Sequence, residues 1–139
     1  MISWEVFTVD DLQRMPEWEH YPDAVVLRTD GADEGAGHGF DNLNPSAYTR
    51  AYLLTAAPWT TIVEWYRGRL ASLGWEGRED GDSLWLARSP GESMVIVDCS
   101  PGTGGWDTTR RWIPNELEPG QGTIFSVYFS RSSGASRRG

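Results

Sequence analysis

The chain has no lysine. All twelve of its basic residues are arginine, set against twenty acids, for a net charge of −8. Outside the last nine residues there is no basic footprint for a polyanion, which argues against nucleic-acid binding. A single cysteine, Cys99, excludes an internal disulfide and carries no mark of an oxidising compartment. Cys99 with the two histidines, His20 and His38, is too small a set for a closed zinc site, which wants four nitrogen or sulfur ligands at short paired spacings. Long apolar runs are missing too. Nothing approaches a membrane span, and residues 1–6 hold neither a basic nor an apolar leader region. The expectation is a cytoplasmic protein of one domain, long enough at 139 residues to form a core without staples.

The charge that is present is uneven. Residues 1–46 hold ten acids against Arg14 and Arg28, residues 47–130 ten against seven arginines, and the tail adds Arg131, Arg137 and Arg138. An acidic surface suits either solubility or a cationic protein partner, and charge alone does not choose between them. Eight tryptophans are many for this length. Indoles are large and often part-exposed, so several should stay half in water.

Residues 58–75 carry the one long periodic pattern. Ile62, Tyr66, Leu70 and Leu73 recur at three- and four-residue steps and so share a helical face, widened by Val63 and Trp65. Thr61 and Glu64 have capping-box spacing, and Gly74–Trp75 has the form of a Schellman stop. Gly68, mid-helix, costs about 1 kcal/mol against alanine, which a close approach to a sheet would explain. Strand patterns cover 3–9, 24–28, 48–55, 75–79, 83–88, 93–99 and 123–130. Asp10 or Thr8 is placed to cap a short helical turn over 11–15, stopped by Pro16. Asp80-Gly81 reads as a two-residue hairpin turn, and Pro90-Gly91 as the centre of a type II turn. Residues 30–46 and 100–122 read as loops and 131–139 as a disordered tail. The expected fold is α+β: one helix over 59–73 on an antiparallel sheet of about five strands in β-α-β-β-β-β order, with extra short N-terminal strands. Its core would gather Tyr66, Leu70, Leu73, Leu84 or Trp85, Ile96, Phe125 and Val127.

A proline-started helix reading Tyr66-x3-Leu70-x3-Gly74-Trp75, between a strand and a strand meander, resembles a diffuse group of small bacterial α+β proteins, some of them lipoproteins. The resemblance spans roughly residues 47–130, and the lipobox of the lipoprotein members is absent. It implies a helix-on-sheet fold and a binding or accessory role, and it carries over no catalytic residue.

Few residues recommend themselves for chemistry. Asp30, Asp33, Glu34, Asp41 and Asn42 offer oxygen ligands to Ca²⁺, but without EF-hand spacing, and a solvated loop is the simpler reading. Cys99 ends an apolar strand, the usual place of an inert thiol. Residues 101–105 follow a strand like a phosphate cradle but lack its Lys-Ser/Thr pair. No catalytic residue, metal or cofactor is expected. Trp106, Arg110, Arg111, Trp112 and Ile113 have the composition of an interaction hot spot. The alternative is that their loop folds back and its indoles cap the open sheet face. The leading expectation is a non-enzymatic protein-interaction module, immunity- or inhibitor-like. Next comes a small-ligand or carbohydrate binder, and an enzyme last.

Overall fold

In the computed structural model, which describes residues 7–34, 46–111 and 122–132, six strands form one antiparallel sheet. In chain order the elements are α1 (Val9–Gln13), a 3-10 turn (Pro16–Trp18), β1 (Val25–Ala32), β2 (Ala47–Thr55), α2 (Trp59–Ala71), β3 (Glu76–Asp80), β4 (Ser83–Ala87), β5 (Glu92–Asp98), α3 (Trp106–Thr109) and β6 (Thr123–Arg131). Across the sheet the order is β1-β2-β6-β5-β4-β3, so α2 carries the chain from beside one edge to the opposite edge. This is the expected α+β class with one main helix. The sheet has six strands rather than five, because β1 pairs with β2 from Val25 to Ala32 and is no separate short piece.

Helix α2 starts earlier than the Thr61–Glu64 spacing implies. Pro58, extended at φ −73° and ψ 159°, is its N-cap, and no side chain caps it. The Pro58 carbonyl accepts from the amides of Thr61 and Ile62, so Thr61 is already inside the helix. A proline forces the residue before it out of helical space and itself needs no amide partner, so the helix begins directly after it. The stop is as read. Trp75 N–H bonds Leu70 O and Gly74 N–H bonds Ala71 O, both at 3.0 Å, with Gly74 at φ 91°. That is the Schellman pair. A capping box does exist, at Thr8 and Asp11 on α1. It makes Val9 helical, so the expected strand over 3–9 does not extend to that residue; residues 3–6 lie outside the described ones.

Ile62, Val63, Tyr66 and Leu70 of α2 are buried against Leu53 of β2, Phe125, Val127 and Phe129 of β6, Met94 and Ile96 of β5, and Leu84 and Leu86 of β4. Leu73 is only part-buried at the rim. Leu84 enters the core and Trp85 does not, since neighbours on a strand face opposite sides. Leu12 and Trp18 extend the same layer, so α1 and the 3-10 turn lie on the α2 side. Gly68 is exposed with nothing within 4 Å of where a Cβ would stand, so no close approach to the sheet explains it.

An ionic cluster fastens the N-terminal layer at one end. Glu17, 5% exposed, accepts from the Trp75 indole at 3.2 Å and from Arg88 at 2.8 Å. Arg88 also grips Glu92, whose side chain is 7% exposed and lies 2.9 Å from Arg131 Nε. Arg131 is therefore the last residue of β6, held by an ion pair and lying over the Phe7 ring, rather than the start of a tail. Three turns and loops also differ from the reading. The hairpin loop is Gly81–Asp82, one residue later, with Gly81 supplying the positive φ (60°). The 30–46 segment begins as strand, and the 100–122 segment contains α3. The type II turn stands, with Gly91 at φ 82° and Glu92 N–H bonded to Ser89 O.

Two outcomes follow from these environments. Gly68→Ala should stabilise the fold by up to about 1 kcal/mol in urea titration, because it fills open space in a helix interior. Hydrogen bonding from Arg88 holds the Glu92 carboxyl below its ordinary value, against the opposing effect of burial. A lowered folded-state pKa contributes stability above the ordinary carboxylate range and loses it as pH falls through the lowered value. The melting temperature of the wild type should thus fall more steeply than that of Glu92→Gln between about pH 5 and pH 3.

A candidate contact surface on the open face of the sheet

The side of the sheet away from α2 is patterned by strand register. One cross-strand row reaches from edge to edge: Asp30, Arg50, Tyr128, Val95, Trp85 and Arg78. The next holds Arg28, Tyr52, Ser126, Val97, Ser83 and Asp80. Directly opposed residues project to the same side, so each row is a line of neighbouring side chains. Tyr48 sits beside the first row and stacks on Tyr128, with ring centroids 5.6 Å apart and an interplanar angle of 25°.

Electrostatics hold the β1–β2 side of this face. Arg50 donates to Asp30 at 3.1 Å and lies over the Tyr52 ring at 5.6 Å. Burial works to lower the Arg50 pKa, but the Asp30 hydrogen bond, with Tyr52, the Asp30 charge and Tyr48, more than offsets it and leaves the value raised. Burial likewise pushes the Tyr52 phenol up. Toward the other edge Trp85 stands 49% exposed, its indole N–H donating to Ser83 Oγ at 3.0 Å. The polar edge of the ring is therefore already satisfied, and its apolar surface faces out. A depression of about 450 Å³ lies beside it, bordered by Glu76, Arg78, Ala87 and Ser93.

One end of the face is closed. Trp106 packs with Leu27, Leu54 and Val97 around buried Cys99 and Ile124. Of the five residues expected to form a hot spot, Trp106 therefore packs mainly into a second small core on this side of the sheet. Arg110 and Arg111 are exposed next to it. Trp112 and Ile113 lie outside the described residues. The surface built of Tyr48, Arg50, Tyr128, Val95 and Trp85 was not singled out from the sequence. The signal that could have found it is the alternation within β2, β4, β5 and β6, which assigns a second face to each strand.

The remaining candidates are dispersed. Asp30 is engaged by Arg50, Asp33 accepts from the amide of Val9, and Glu34 accepts from the amide of Phe7. Asp41, Asn42 and His38 lie outside the described residues. No group of three or more metal-ligating side chains occurs among the described residues. His20 packs edge-on to Trp18 in the α2 layer, and burial lowers its pKa. Cys99 sits on the other face, hydrogen-bonded to Val97 O and Ser126 Oγ. No described helix is long and apolar enough to cross a membrane. No protein-family model, curated protein or solved structure matches this chain.

Trp106 and Trp85 should separate cleanly in stability measurements. Trp106→Ala, which opens the second core, should cost about 1–3 kcal/mol, whereas Trp85→Ala should stay within about 0.5 kcal/mol of wild type by denaturant titration.

Proposed function

We propose that this chain is a non-catalytic protein-interaction or accessory module of the immunity or inhibitor kind, and that its contact surface is the open face of the sheet. The observation that carries the reading is the row Arg50, Tyr128, Val95 and Trp85, with Tyr48 stacked alongside. Tryptophan, tyrosine and arginine are the side chains that dominate binding energy at protein interfaces, the two aromatics because they bury large area at small entropic cost and arginine because its planar fork makes several hydrogen bonds at once. Here they are already ordered, by stacking, by the Asp30 ion pair and by the Ser83 hydrogen bond. Pre-ordering removes part of the cost of association. The net charge of −8 favours a basic partner approaching along the field.

The test is affinity capture on the immobilised chain at low salt. A defined partner should be retained, released as salt rises, and lost when Trp85 and Tyr128 are replaced together by alanine in a chain that still melts normally. Retention by the double variant contradicts the assignment of the face.

A second reading, carbohydrate binding, rests on the depression beside Trp85. An exposed indole flanked by Glu76, Arg78 and Ser93 offers a stacking platform with hydrogen-bonding groups around it. Oligosaccharide titrations that leave the Trp85 indole N–H resonance unmoved reject it.

A further inference from the structure

The depression beside Trp85 has a cause in the sequence. Ala87 is the next residue of β4 on the open face, and it carries a single methyl group among long side chains. Glu76 of β3 stands directly opposite Ala87, and Arg78 directly opposite Trp85. Ser93 of β5 borders the same space. The pit is thus floored by a small residue and walled by an indole, a carboxylate and a guanidinium. Directly and diagonally opposed side chains of antiparallel strands lie within reach of each other, so Trp85 and Glu76 can both touch one group seated over Ala87. These walls are uncommitted. Trp85 is 49% exposed, and its only polar atom is already bonded to Ser83. Glu76 and Arg78 are exposed, and neither side chain has a hydrogen-bond or ion-pair partner among the described residues, whereas Glu79 of the same strand is paired with Arg67.

We propose that this pit receives an arginine side chain of the protein partner: the guanidinium stacks on Trp85, its N–H fork donates to the Glu76 carboxylate, and its stem crosses Ala87. The inference rests on the contact-face reading and adds the chemistry of the group that face takes. The sign of the occupant's charge follows from a comparison. A cation is drawn by the π face of the indole, by the unpaired Glu76 carboxylate and by the net charge of −8, and only Arg78 opposes it. An anion meets the reverse, with Arg78 in favour and the ring face, Glu76 and the overall field against.

Between the two basic side chains, the pit selects arginine. Its planar, weakly hydrated guanidinium stacks on an aromatic face and keeps its donors in the ring plane for a carboxylate at the side. A lysine ammonium is a compact, strongly hydrated charge and satisfies one wall at a time.

The probe is N-acetyl-arginine amide, with the citrulline compound as its uncharged isostere, titrated at low salt into the isotope-labelled full chain. The arginine compound should move the Trp85 indole N–H and the Glu76 amide together and saturate near about 10 mM, since one side chain without the rest of a partner binds weakly. The citrulline compound should move neither. Glu76→Gln should weaken binding about threefold and Arg78→Ala should strengthen it about twofold, both shrinking as salt rises and both with the melting temperature unchanged. Absence of a saturating response in that range overturns the proposal, as does an equal response to citrulline or one indifferent to Glu76→Gln. Charge variants acting with the reverse signs also overturn it and assign the pit to an anion. Affinity capture reads the face as a whole, so a partner retained by a chain whose pit ignores arginine refutes the pit and leaves the face standing.

Discussion

Tyr66 meets Phe125 edge-on, with ring centroids 6.0 Å apart, and this contact fixes which side of the sheet is covered. Tyr66 is 1% exposed and Phe125 is fully buried on β6, a strand paired on both flanks by β2 and β5. The Tyr66 hydroxyl accepts the amide of Tyr21 at 3.0 Å, so one side chain joins the helix, an interior strand and the N-terminal segment. Buried aromatics combine a large transfer energy with an orientation preference, and a tyrosine adds a polar tip that must find a partner. All three conditions are met at one point. With α2 anchored there and α1 and the 3-10 turn packed beside it, the described helices other than α3 occupy a single layer.

The other face of the sheet must then be organised by its own side chains. At one end Trp106, Leu54 and Ile124 make a small second core. In the middle Arg50 spans Asp30 and the Tyr52 ring, and Tyr48 stacks on Tyr128. Beyond them the face opens at Trp85. Such a gradient, from closed core to exposed indole along one sheet, gives a surface that is rigid yet still has apolar area to bury.

The helix was legible because two independent signals agree on it: the Ile62–Tyr66–Leu70 spacing and the Gly74–Trp75 stop, whose hydrogen bonds are those expected. Its start at residue 59 is as expected, but the cap was misread, because Thr61–Glu64 satisfies the capping-box pattern while Pro58 acts first. A steric rule about proline outranks an optional side-chain bond. The same competition explains residues 7–9, where the Thr8–Asp11 box overrides strand-like alternation. Strand positions came through well, but β1 was cut short, since Asp30-Gly31-Ala32 has weak intrinsic strand preference and is held by its pairing to β2. The contact face was the hardest part to see. Trp106 looked exposed because it lies in a polar stretch, and Trp85 looked like core because it lies in an apolar one. Register settles both, and register is a property of partners distant in the chain.

The central claim is that helices cover one face of the sheet and an ordered aromatic surface occupies the other. The most direct test is to add a soluble paramagnetic probe and compare the indole N–H signals of the assigned tryptophans. Trp85 should broaden strongly, while Trp75, bonded to Glu17, and Trp18 should remain sharp. A shielded Trp85 together with an accessible Trp75 would place the covering layer on the opposite side and contradict the account.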